Sequence, residues 1–161
     1  MINHPIPPIY DDNSKILILG SFPSVKSREQ GFFYGHPQNR FWKVLSTVLN
    51  RDLPLDIESK RKLLLEADIA VWDVVASCDI AGSLDSSIKN VIPNDLNVIL
   101  KKSNIRKIYV NGKTAEKFYN KYILKNIKIP AECLPSTSPA NAVWTEQKLV
   151  EKWSMILEYL H

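Results

Sequence analysis

Residues 15–20 read Lys15-Ile16-Leu17-Ile18-Leu19-Gly20 (KILILG). An unbroken apolar run of this length, closed by glycine, fits a strand covered on both faces, and such strands belong to parallel sheets. Outward from it the pattern returns in Ile69–Val75 (IAVWDVV), Ile105–Val110 (IRKIYV) and Ile129–Leu134. Helical spacing fills the intervals. Arg40–Leu49 carries Phe41, Val44, Leu45 and Val48 three and four residues apart, and Thr145–Leu160 carries Leu149, Trp153, Ile156 and Leu160 as one stripe. Ile57–Glu66, Leu96–Lys101 and Gly112–Tyr122 complete the helices, the second after a Pro93-Asn94 start signal. Strands each followed by a helix predict an α/β fold with a four-stranded parallel sheet between helices. Right-handed crossovers then align the strand C-termini along one edge, so the loops after Leu19, Val75, Val110 and Leu134 are where a ligand is expected.

The chain of 161 residues is 45% hydrophobic and 24% charged, which excludes disordered and collagen-like classes and predicts one domain over 1–161. Residues 1–14, rich in Pro and Asp/Asn, read as an irregular lead-in. The net charge of +4 is uneven: −1 over residues 1–80, +7 over 81–128 and −2 over 129–161. Within the basic block, Lys113, Lys117, Lys121 and Lys125 share one helix face. That face is either simply solvated or phosphate-contacting. The two cysteines, Cys78 and Cys133, are too few for an iron–sulfur cluster or an all-cysteine zinc site, and they fit a reduced, cytoplasmic protein. No secretory n-region or apolar stretch of roughly 20 residues is present.

Several chemistries lack their equipment. Gly112-Lys113-Thr114 ends like a P-loop, but Lys107 stands where its first glycine belongs. There is no dinucleotide fingerprint and no nucleophile elbow. His36 has no histidine partner nearby, so neither a metal nor a cofactor is expected.

Two loops hold what remains. Residues 20–42 contain six of the 15 aromatics: Phe22, Phe32, Phe33, Tyr34, Phe41 and Trp42. Phe41 and Trp42 belong to the helix and its core. The Phe32–Tyr34 cluster either packs as a small core beneath the loop or offers a planar face to a nucleobase. Asn39, just before the helix, has the residue type of an N-cap. The second loop, LPSTSPANA at 134–142, offers Ser136, Thr137 and Ser138, small hydroxylated residues that form either an ordinary turn or a close approach to phosphate.

Together these loops resemble the uracil-DNA glycosylase superfamily. The resemblance is carried by GSFPS (20–24), FYGHPQNRFW (33–42), WDVVASC (72–78) and LPSTSPAN (134–141), and it is strongest to the hypoxanthine branch, the DNA-deoxyinosine glycosylases. It implies a three-layer α/β/α sandwich and removal of a deaminated base from DNA by a monofunctional enzyme. Its alternatives are a uracil or mismatch-specific glycosylase, and a catalytically silent DNA-binding member of the fold.

The resemblance also assigns roles. Asn39 becomes the water-orienting residue, besides capping the helix, and Ser136 stands where other branches carry His or Asn to assist the leaving group. Tyr34 matches the aromatic that stacks on the flipped base. Asp73 replaces a base-reading Asn and can accept from an N–H of the base. Gly20, Ser21 and Phe22 border the base, Phe22 standing where uracil glycosylases carry Asp or Asn. Pro23, Ser24, His36, Lys113, Ser138, Pro139, Ala140 and Asn141 fall on the DNA side. Ala140 takes the place of the wedge leucine, which leaves Asn141 as a neighbouring candidate. A nucleoside hydrolase acting on free inosine is a further reading, which the +7 block makes second to a polymeric substrate.

Overall fold

The computed structural model describes residues 1–161. Four parallel strands form the central sheet in the order β3-β2-β6-β7: β2 (Ile16–Gly20), β3 (Ile69–Asp73), β6 (Lys107–Asn111) and β7 (Ala131–Leu134). β2 and β3 are buried at every residue, as their continuous apolar sequences require. Helices flank the sheet: α3 (Ile57–Glu66) packs on β3, α5 (Lys113–Tyr122) on β6 and β7, and α2 (Phe41–Val48) on α7 (Glu146–Trp153). The short helices α4 (Asn97–Leu100) and α6 (Leu124–Ile127) turn the chain between them. No helix is long and apolar enough to cross a membrane.

Register decides where the chemistry falls. Gly20 pairs with Asp73, Leu19 with Val110, and Asn111 with Leu134, so four strand ends line one edge. Two glycines at that edge are sterically required. A Cβ on Gly20 would lie 2.4 Å from Asp73 Oδ1 and 3.0 Å from the Tyr34 hydroxyl. Gly112 has φ +95°, and a Cβ there would meet Ser136 Cβ at 2.9 Å.

Several expectations are corrected. The lead-in is not irregular throughout. Its β1 (Ile2–Asn3) pairs antiparallel with β4 (Val75–Asp79), which pairs in turn with β5 (Lys89–Pro93) in a second, three-stranded sheet. Ile9 bridges to Val71 on the free edge of β3. The run read as one strand over 69–75 therefore ends at Asp73 and restarts at Val75 in the other sheet. The 21–39 loop contains a helix, α1 (Val25–Gln30), capped by the Ser24 hydroxyl. The last helix is α-helical only to Trp153 and continues as a 3-10 turn over Ser154–Tyr159.

Candidate active site

Arg40, not Asn39, holds the N-cap position of α2; Asn39 sits two residues before the helix, and its Oδ1 accepts from the backbone N–H of Phe41 at 3.0 Å. It also accepts the Thr137 hydroxyl at 2.9 Å. A backbone N–H can only donate, so the amide cannot be flipped, and its two Nδ2 protons are the free end. Thr137, fully buried, also accepts from Asn111 Nδ2 at 3.1 Å and donates its backbone N–H to Asn111 Oδ1 at 3.1 Å. Asn39, Thr137 and Asn111 thus form one network joining the start of α2, the loop after β7 and the end of β6. Asn111 was absent from the residues singled out in the sequence. The one available signal was its place at the end of a predicted strand, beside Gly112.

Arg40 extends the network. Its guanidinium donates to the carbonyls of Ser138 at 3.0 Å, Asn141 at 3.2 Å and Trp144, while its backbone N–H reaches Thr137 O at 3.1 Å. The 136–144 loop is further closed on itself. Ser138 N–H donates to Ser136 Oγ, Ala140 N–H to Ser138 Oγ, and Asn141 Nδ2 to Ser136 O. The N–H groups of Thr137, Ser138 and Ala140 are thus bonded within the protein, as in the ordinary turn that the sequence also allowed. Asn141 is tied back onto the loop through Ser136 O. Val143, 85% exposed, is the projecting apolar side chain of this loop. Pro139 and Ala140 are exposed beside it.

The opposite wall carries Gly20, Tyr34 and Asp73. Phe32 and Phe33 are both 2% exposed, so they form the small core beneath the loop, each burial contributing roughly 1.5–3 kcal/mol. Tyr34 alone turns toward the strand ends, with φ +53° and its ring stacked on Phe41 at 3.9 Å and 13°. Its hydroxyl is sealed and meets no partner, with the Asp73 carboxylate and Asn111 amide beside it. Burial first, then the charge of Asp73, pushes this phenol well above its ordinary value, so it remains an O–H donor.

Asp73 is buried, and its Oδ2 accepts from His4 Nε2 at 2.7 Å. Its Oδ1 faces Gly20 with no donor. The Phe22 ring lies in the core, edge-on to His4, so a base can meet only its backbone. The backbone N–H groups of Ser21 and Phe22 meet no protein acceptor. The Ser21 hydroxyl is directed to Asp85 at 3.3 Å, and Ser24 is engaged in capping α1. Pro23 is buried beside them.

A cleft of about 330 Å³ brings Asn39 and Tyr34 together, lined also by His36, Arg40, Lys43 and Lys60, while Gly20, Asp73 and Ser136 lie outside its lining. His36 accepts the Gln38 N–H on Nδ1, which leaves its Nε2 proton free. Burial lowers the Lys60 pKa from its ordinary value. A larger groove of about 470 Å³ along Asp79–Ala81 and Ser86–Lys89 carries none of the residues singled out above. Lys113, Lys117 and Lys121 are exposed on α5, whereas Lys125 is exposed on the separate α6, so the ladder expected from the sequence is interrupted at Ile123. No three His, Cys, Asp or Glu side chains converge as metal ligands would.

The uracil DNA glycosylase superfamily model matches residues 7–161. The chain belongs to that superfamily. It is 31% identical over 161 residues to the hypoxanthine DNA glycosylase of Methanosarcina acetivorans, covering 99% of this chain and 100% of that one. The hypoxanthine DNA glycosylase of Methanosarcina barkeri is 31% identical over 137 residues, 84% of this chain and 85% of its own. A solution NMR structure of a Methanosarcina acetivorans protein assigned to the uracil DNA glycosylases superposes with TM-score 0.83 at 31% identity, covering 99% of each chain. The superfamily fold expected from the two loops is therefore the fold observed.

Proposed function

We propose that this chain is a monofunctional DNA glycosylase that hydrolyses the N-glycosidic bond of hypoxanthine in deaminated DNA. The observation that carries the reading is the fixed Asn39 amide, held by two donors beside the loop that bears Ser136 and in one cleft with Tyr34. Two relatives named hypoxanthine DNA glycosylase support the choice of base. The free thiols of Cys78 and Cys133 support action in a reducing compartment such as the cytoplasm.

The chemistry follows from what is bonded and what is free. A flipped nucleotide leaves the stack at a cost of a few kcal/mol, least at a mispaired base. Tyr34, backed by Phe41, offers a rigid ring to stack on it. Asp73 Oδ1 can accept an N–H from the base, and the unpaired N–H groups of Ser21 and Phe22 can donate to its carbonyl oxygen. As the C1′–N bond breaks, its electron pair leaves with the base, and these donors stabilise the charge that develops there.

The sugar cation needs only a positioned water. Oδ1 of Asn39 is occupied, so Nδ2 is the end that holds the water, through one of its lone pairs. The other lone pair forms the new C1′–O bond, and the released proton ends on the departed base by way of solvent. Lys43, Lys60 and the free Nε2 proton of His36 give the cleft donors for the DNA backbone, while Val143 is placed to press into the duplex.

Single-turnover base release from a deoxyinosine-containing duplex tests the reading. The native protein is expected to release hypoxanthine, and Asn39→Ala to lose about a hundredfold or more in rate, the usual consequence of removing one site-building donor. Asn39→Asp keeps the oxygen that accepts the Phe41 N–H but loses Nδ2, and it should be equally slow. Absence of release by the native protein from deoxyinosine and deoxyuridine duplexes alike refutes the enzyme. A fast Asn39→Asp assigns the work to the oxygen instead.

A further inference from the structure

His4 lies in the segment that sequence reading left without a role, 69 residues from Asp73, yet their side chains meet at 2.7 Å and are 4% and 5% exposed. The imidazole is fixed on every side. Its ring packs among Phe22, Phe33 and Trp72. Its Nδ1 accepts the backbone N–H of Ile6 at 3.2 Å, so the ring proton lies on Nε2 and is donated to Asp73 Oδ2. The backbone of the same segment is fastened as well: His4 N–H donates to Ala76 O at 2.7 Å, and Trp72 Nε1 donates to Ile6 O at 3.3 Å. Asp73 is held from its own side by Asn94 Nδ2, which donates to the Asp73 carbonyl at 2.8 Å. One carboxylate oxygen is thus tied back to the strap, and the other lies against Gly20 at the sheet edge, beside the Tyr34 hydroxyl.

We propose that His4 is a positioning residue that fixes Asp73 as a hydrogen-bond acceptor toward the base and thereby selects a 6-oxopurine over a 6-aminopurine. The inference rests on the glycosylase reading given above and deepens it. Hypoxanthine presents a proton on N1 where adenine presents a lone pair. An acceptor held at this point bonds the first and repels the second. Discrimination against adenine is the demand a hypoxanthine-removing enzyme faces, because adenine is the undamaged parent base. A site whose buried polar group is left unpaired by the wrong partner discriminates far better than an apolar pocket does. A carboxyl free to rotate would lose that sense. The strap removes that freedom, because Oδ2 is held to the His4 N–H.

The decisive test is an inversion, which a merely structural role does not produce. In Asp73→Asn the His4 N–H claims the amide oxygen, so the amide NH2 faces the base and becomes a donor toward an N1 lone pair. Titration of the intact protein with free hypoxanthine and free adenine reads this without bond cleavage. The native protein is expected to prefer hypoxanthine, and Asp73→Asn to shift the ratio of affinities toward adenine by about tenfold or more. His4→Phe keeps the ring packing and loses both hydrogen bonds, so its preference for hypoxanthine should weaken by a similar factor. His4→Gln, which can still donate to Oδ2, should restore most of it. In the double variant His4→Phe with Asp73→Asn the amide rotates freely, and the shift toward adenine should disappear.

A native protein without preference between the two bases overturns the proposal. So does an Asp73→Asn shift that persists without His4, or a folded His4→Phe with native selectivity. Should the native protein bind hypoxanthine selectively yet release none from DNA, the glycosylase reading falls while the role of His4 stands.

Discussion

The two walls of the site are built to opposite rules. On the Asn39 side the key oxygens are occupied from within the protein. Asn39 Oδ1 takes two donors, Asn111 Oδ1 takes the Thr137 N–H, and the carbonyls of Ser138, Asn141 and Trp144 converge on Arg40. On the Tyr34 side polar groups are left without a protein partner: Asp73 Oδ1 and the N–H groups of Ser21 and Phe22, with the sealed Tyr34 hydroxyl behind them. The first arrangement fixes geometry before substrate arrives, as expected where a water must be aligned with a reacting carbon. The second leaves unmet hydrogen-bonding demand, as expected where a base supplies the missing partners. Under the proposed function, orientation and recognition fall to separate elements.

The contrast can be attacked most forcefully at Arg40. Lysine keeps the charge but cannot span three carbonyls, so Arg40→Lys should destabilise the protein by about 3 kcal/mol, on the order of 6–12 °C in Tm. Thermal melting measures the loss, and a native Tm would show that the loop needs no brace. Thr137→Val removes only the hydroxyl that links Asn111 to Asn39. Base release should slow about tenfold with KM for the duplex little changed, because the lost interaction aligns an existing group. A matching rise in KM would instead place Thr137 on the recognition side.

Tyr34→Phe separates the walls in the other direction. The hydroxyl is sealed and has no partner to lose, so the free protein should be as stable as the native one or slightly more so, with base affinity unchanged within about twofold. A fall in Tm of several degrees would mean that the hydroxyl is satisfied in the free protein. The smallest effect is expected outside both walls, on the exposed lysine row of α5. Replacing Lys117 with Gln should leave base release at saturation unchanged and reduce the salt slope of DNA binding by about one unit if that face touches phosphate. An unaltered slope identifies the row as solvated surface.

The central sheet was legible because both of its signals are local. Ile16–Leu19 and Ile69–Val71 are continuous apolar runs, and the helices between them keep their periodicity. The second sheet was hidden for a physical reason. Val74 and Val75 continue the apolar run of β3, so nothing in composition marks the point where the chain leaves one sheet for the other. β5 is mostly exposed, and its sequence KNVIP carries little hydrophobic pattern. α1 was read as loop because it is a single short helix set by one serine cap.

The site divided in the same way. Asn39, Tyr34 and Asp73 stand in motifs contiguous in sequence, which single them out as candidates. Asn111 and His4 were missed because what gives each its place is a partner 26 or 69 residues away, brought near by strand order alone. Resemblance pointed to Ala140 and its neighbour Asn141 for the wedge, and only the folded loop shows Asn141 tied to Ser136 and Val143 projecting.

The bridge between Ile9 and Val71 has a consequence beyond the site. β3 is an outer strand, apolar throughout, with a row of backbone groups able to template another chain. Ile9 exchanges both hydrogen bonds with Val71 at 3.0 Å, and Pro5, Pro7 and Pro8 bring no further N–H to extend the pairing. Trimming the first ten residues would therefore uncover a sticky edge and unfasten the Asp73 carboxylate in one stroke. Damage to this segment should surface as clumping in the tube together with indiscriminate base choice.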